Sequence, residues 1–135
     1  MNITAIILIV VVAVVILVLI NLVNRTTPKG IDKEYFKNEW RDVLALIDEP
    51  KTRPMSIINA DKLLDQALKC LGFDGKTMAE RLVVAKDRLK TRNSVWAAHK
   101  LRNKIVHESL YEPSKKDIDI AIEGYRKAFR DLGVF

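Results

Sequence analysis

The stretch ITAIILIVVVAVVILVLI (Ile3–Ile20) carries no charge, and Thr4 is its one hydroxyl side chain. With Leu22 and Val23 it makes an apolar run of about 20 residues. At about 1.5 Å per residue a helix of that length spans roughly 30 Å, the thickness of a bilayer core. β-branched residues are poor helix formers in water, but lipid offers unpaired backbone groups no partner, so helix is the state that satisfies them. The run predicts a single transmembrane helix over residues 1–23. A cleaved signal peptide would need a basic start, a shorter apolar core and a small-residue cleavage site. No Lys or Arg precedes the run, and Asn21–Arg25 offers no such site. Basic residues cluster on its C-terminal side, at Arg25, Lys29 and Lys33. The expected topology is a single-pass cell-membrane protein, N-terminus outside and the rest cytoplasmic.

Beyond the run, residues 24–31 read as a linker, where NRTTPKG (Asn24–Gly30) supplies Pro28 and Gly30 as breakers. Residues 32–135 read as helix throughout, without an alternating strand pattern. Phe36, Trp40, Val43, Leu44 and Ile47 form one apolar stripe over about Asp32–Asp48, with Asp32 as cap. Leu63, Leu64, Ala67, Leu68 and Leu71 form a second over about Met55–Leu71, closed by Gly72. TMAE (Thr77–Glu80) is a capping box for a third helix reaching about Lys90. Asn93 or Ser94 caps a fourth, about Val95–Leu110. Pro113 and Ser114 open a fifth, which Ile118, Ala121, Ile122, Tyr125, Phe129 and Leu132 turn inward and Gly133 closes. The expected class is all-α: the membrane helix followed by a four- to five-helix antiparallel bundle. Cys70 is the single cysteine, so no disulfide framework exists. It reads as a small core residue.

The chain has a net charge of +6. Between Arg81 and Lys104 lie eight basic residues and one acid, Asp87. A polyanion is the natural partner of such a patch: RNA, DNA or the anionic lipid surface nearby. A plain solvated face is the other reading.

Both histidines lie in AHKLRNKIVHE (Ala98–Glu108). At about 100° per residue, His99, Arg102, Asn103, Val106 and His107 share one helical arc about 140° wide. Lys100 and Lys104 fall to one side of it, Ala98, Leu101 and Ile105 to the other. Arg presents a planar fork that matches phosphate oxygens. His exchanges protons near neutral pH, and Asn can orient a hydroxyl or a His tautomer. RNA brings its own 2′-hydroxyl nucleophile, so such an arc can act on a phosphodiester without a metal. No metal-ligand spacing and no Gly-rich phosphate loop are present, and no cofactor is implied. A helical His more often serves structure than catalysis, so the arc alone leaves both readings open.

RNKIVH (Arg102–His107) resembles the Arg-polar-x-x-x-His signature of the HEPN superfamily, the higher eukaryotes and prokaryotes nucleotide-binding domains. There Arg is followed directly by Asn, Asp or His, and four to six residues separate it from a His; Arg102 and His107 have four between them. The family fold is a bundle of four or five helices, which would cover the whole soluble part. The resemblance implies a metal-independent endoribonuclease working as a homodimer, with the two motif helices facing each other and products ending in a 2′,3′-cyclic phosphate and a 5′-hydroxyl. It casts His107 as acid/base, Arg102 as the phosphate contact and Asn103 as the polar orienter. His99, Lys100, Lys104 and Arg92 are then substrate contacts at most. The alternative is a non-catalytic, membrane-tethered dimerisation or partner-binding module, which exposed Trp96 and Tyr111 would serve.

Overall fold

The computed structural model describes residues 2–26 and 30–135. These hold six helices and no strand: α1 (Ile3–Thr26), α2 (Lys33–Ala45), α3 (Arg53–Cys70), α4 (Met78–Val84), α5 (Arg92–His107) and α6 (Lys115–Asp131). In α1, Ile3–Leu22 is long and apolar enough to cross a membrane, and none of it is buried in the protein. The helix runs three residues past the expected end at 23, because the polar residues that follow contain no breaker before Pro28. Pro28 and Lys29 themselves lie outside the described residues.

The inward stripes form the core of the remaining helices. Phe36, Trp40 and Val43 of α2, Leu63, Leu64, Ala67 and Leu68 of α3, and all six named positions of α6 are buried. Leu44, Ile47, Leu71 and Cys70 pack against that core from its edge. α3 touches α2, α4, α5 and α6, and α6 makes its broadest contact with α5.

Local chemistry sets most of the helix ends. The Asp32 carboxylate accepts from the Tyr35 amide at 3.0 Å. Ser114 and Asp117 complete a reciprocal capping box, and the hydrogen bonds from Ser114 hold the Asp117 carboxyl below the usual range. Gly72 and Gly133 take the left-handed conformation, with φ of 83° and 73°. Each lets the next residue bond back five positions: Phe73 to Leu68 at 3.0 Å and Val134 to Phe129 at 2.9 Å. The second turn folds Phe135 onto Phe129 and Trp40, at ring separations of 4.8 and 5.8 Å.

Three boundaries of α4 and α5 depart from the sequence expectation. α4 stops at Val84 rather than near Lys90; the chain tightens through Lys86–Val83 and Arg88–Ala85 bonds and turns Leu89 into the core. α5 begins at Arg92 behind Thr91, not behind Asn93 or Ser94. The Thr91 hydroxyl and amide both donate to Asp131, at 2.9 and 3.0 Å, and so tie the start of α5 to the end of α6. α5 also ends at His107, three residues early, leaving Leu110 96% exposed. At Thr77 the capping box is incomplete: Thr77 accepts from the Glu80 amide, but the Glu80 carboxylate reaches the Lys76 amide instead.

At Gly124, α6 packs directly against the backbone of α5. A Cβ there would lie 2.7 Å from the Ser94 carbonyl oxygen and 3.5 Å from the Ala98 Cβ. Gly124→Ala should therefore destabilise the fold by about 1–3 kcal/mol in urea unfolding, as overpacking against backbone does. Gly30→Ala, which meets nothing within 4 Å, should stay within about 0.5 kcal/mol of the parent.

Candidate functional site

On α3, Ile57, Asp61, Leu64 and Leu68 fall at i, i+4, i+7 and i+11, so Asp61 stands in the buried stripe. It is 3% exposed. A carboxylate there requires partners, since an unpaired buried charge costs several kcal/mol. His99 Nδ1 lies 2.8 Å from Oδ1, and the Tyr125 hydroxyl donates to the same oxygen at 2.9 Å. On the other oxygen, Arg102 Nε sits at 3.6 Å, close enough for ion pairing but too long for a hydrogen bond. Nε is buried and makes no hydrogen bond.

The remaining partners decide the orientations. Arg102 Nη1 donates to Asn103 Oδ1 at 2.9 Å. Because a guanidinium only donates, the Asn103 oxygen must face it. That turns Asn103 Nδ2 toward His99 Nε2, 3.4 Å away. In a neutral ring this makes Nε2 the acceptor and places the hydrogen on Nδ1, facing Asp61. The Trp96 ring meets His99 edge-on at 6.0 Å. Burial pushes the Tyr125 phenol well above its usual range; the charge and hydrogen bond of Asp61 push it further, while the Arg102 charge opposes. Tyr125 therefore remains a donor.

Asp61, His99, Arg102 and Asn103 form one wall of a groove of about 650 Å³ between α3, α5 and the start of α4, with Lys62 and Lys76 also along it. A second ion cluster borders it. Arg81 Nε pairs with Asp65 at 2.6 Å and Lys69 with the same carboxylate at 2.7 Å; Arg81 also donates to the Gly75 carbonyl. Burial works to raise the Asp65 carboxyl, but the hydrogen bonds and charges of Arg81 and Lys69 outweigh it and hold the group below the usual range. Arg81 is buried and committed to this cluster, so it is not part of a free basic surface.

The candidate residues from the sequence divide among several places. His99, Arg102 and Asn103 come together in the groove wall. His99 is more enclosed than a substrate contact requires, its side chain 9% exposed. His107 is the exposed last residue of α5 and is not among the residues lining this groove. Lys100 and Lys104 line a different cleft, about 340 Å³, beside Leu101, Tyr111 and Ile120; Lys104 Nζ lies 5.6 Å from the Tyr111 ring centre. Arg92 is exposed in a third hollow near Trp96. Trp96 and Tyr111 are half-buried rather than exposed. Cys70 is free, and among the described residues no three His, Cys, Asp or Glu side chains converge as metal ligands. Sequence reasoning missed Asp61 as a partner and treated Tyr125 as plain core. The available signal was polar residues on the inward stripes of three helices at once.

Tyr125→Phe should destabilise the protein by about 1–2 kcal/mol in urea unfolding, the cost of one lost hydrogen bond to a buried acceptor. Asp61→Ala, which strands a partly buried guanidinium, should cost more, about 3 kcal/mol. The lowered Asp65 carboxyl contributes stability that is complete above the ordinary aspartate pKa, about 3.9, and is lost as pH falls through the lower folded value. In thermal melts, the deficit of Asp65→Asn relative to the parent should be full near neutrality and shrink below about pH 4.

No protein-family model matches the chain, and no curated protein or solved structure matches it either.

Proposed function

We propose that the protein is a membrane-anchored, HEPN-like domain that binds RNA and cleaves it without a metal ion. The observation that carries this reading is the Arg102–Asn103 pair, held in the wall of a groove with lysines along it. The Arg102 side chain is 32% exposed, so part of its fork stays available to a phosphate. His107 follows Asn103 by one helical turn, with its ring in solvent. In this reading α2–α6 make an antiparallel bundle, two copies pair through their α5 helices, and the basic residues after α1 keep the domain on the cytoplasmic side.

The chemistry is transesterification. The 2′-oxygen attacks phosphorus and loses its proton to a base, and the bond to the 5′-oxygen breaks as that oxygen gains a proton. The products are a 2′,3′-cyclic phosphate and a 5′-hydroxyl. His107 serves proton transfer. Arg102 offsets the charge that builds on the non-bridging oxygens, and Asn103 orients Arg102.

A second reading draws on a different observation. Val106 and Ile120 are exposed, Leu110 almost completely, and the neighbouring cleft is lined by Leu101 and Tyr111. Such a surface suits a non-catalytic module that self-associates or holds a partner at the membrane.

The full chain in detergent micelles, incubated with end-labelled RNA and excess chelator, separates the two. The nuclease reading expects cleavage with cyclic-phosphate ends, reduced at least about 100-fold in Arg102→Ala and in His107→Ala. RNA binding without cleavage, weakening steeply with salt, would favour the module. Cleavage that stops with chelator, or that both variants retain, would reject the proposed mechanism.

A further inference from the structure

We infer that His99, clamped by Asp61, is a positioning residue that keeps the Arg102 guanidinium turned to the groove. Its functional consequence rests on the RNA-cleavage reading; the positioning itself does not.

A buried carboxylate has room for several donors, and a guanidinium is the best-matched one, able to close on both oxygens at once. Arg102 is already 3.6 Å from Oδ2. Yet it stops short: its Nε is left without a hydrogen bond and its Nη1 is turned to Asn103. Oδ1 is meanwhile occupied by two donors, His99 Nδ1 and the Tyr125 hydroxyl. With Oδ1 filled, a two-pronged Arg102–Asp61 pair cannot form.

The other face of His99 completes the arrangement. Its Nε2 lies 3.4 Å from Asn103 Nδ2; a bare Nε2 there takes the amide hydrogen and leaves the Asn103 oxygen facing Arg102. His99, Arg102 and Asn103 are neighbours on α5 at i, i+3 and i+4, so the helix sets their spacing and only rotamers remain to be chosen. His99 selects those rotamers twice, by filling Asp61 and by turning the Asn103 amide. Its enclosure between Trp96, Asp61 and Asn103 fits this role better than substrate contact. Loss of His99 would leave Oδ1 with Tyr125 as its one remaining donor, and Arg102 would swing inward to take the vacated acceptor position.

Two measurements on the full chain in detergent micelles test this. The first is nitrogen NMR of the His99 ring at neutral pH in the parent protein. The expected state has hydrogen on Nδ1 and a bare Nε2. Hydrogen on Nε2, alone or together with Nδ1, leaves Asn103 nothing to donate to and overturns the inference. The second is kinetic. His99→Ala should lower kcat for RNA cleavage about 100-fold, the effect of misplacing a reacting group by about 1 Å, with a smaller change in KM. His99→Asn, whose amide nitrogen can take the place of Nδ1 against Asp61, should recover at least tenfold of that loss. Adding Asp61→Asn to His99→Ala, which weakens the competing carboxylate, should likewise recover activity. A folded His99→Ala with parental kcat overturns the inference and leaves the roles of Arg102 and His107 standing. If the parent protein does not cleave RNA, the functional reading fails, and the ring tautomer alone decides the positioning. If His99→Ala does not fold, the tautomer and His99→Asn decide.

Discussion

A carboxylate in the middle of an apolar helix face is the constraint around which α3, α5 and α6 are arranged. Asp61 could be buried only if other helices delivered donors to it. α5 delivers His99 and Arg102, and α6 delivers Tyr125. Three helices must therefore meet at one depth and in one rotation. Apolar stripes tolerate some slippage between helices, but a set of hydrogen bonds of about 2.9 Å does not. The polar knot gives the core its register, while the leucines and aromatics around it supply most of the burial.

The packing between α5 and α6 makes that meeting geometrically possible. Gly124 lets the two backbones approach until its own Cα faces the Ser94 carbonyl, and Ala98 and Ala121 leave room beside it. The Thr91–Asp131 bonds secure one end of the pair. With α5 held this way, its polar arc divides. His99 turns inward, Arg102 and Asn103 lie at the groove wall, and His107 remains outside on the last turn. Residues that share an arc on a helical wheel thus end in three different environments.

Charge is redistributed in a similar way. The dense run of basic residues from Arg81 to Lys104 suggests one continuous patch, but folding separates it. Arg81 is withdrawn into an ion cluster with Asp65, and Arg102 into contact with Asp61. Lys100 and Lys104 border a cleft with a largely apolar lining, apart from the groove that holds Arg102. The groove draws its lysines from outside that run, Lys62 and Lys69 from α3 and Lys76 from the turn before α4. A cationic surface is therefore assembled from segments that no count along the chain would group.

The sequence by itself determined the helices and most of their ends, because these depend on contacts within a few residues. The apolar run of α1, the inward stripes of α2, α3 and α6, the Asp32 and Ser114 caps and the Gly72 and Gly133 turns are all local in this sense. The early end of α4 and the start of α5 at Thr91 escaped it, since Leu89 and Asp131 act on those boundaries from across the fold. Only the tertiary structure decided that Asp61 binds residues 38 and 64 positions away, that His99 sits between Asp61 and Asn103, and that Gly124 packs against the α5 backbone. Hydrogen bonds and close approaches between distant segments leave no period along a chain, and they exist only once packing has brought their partners together.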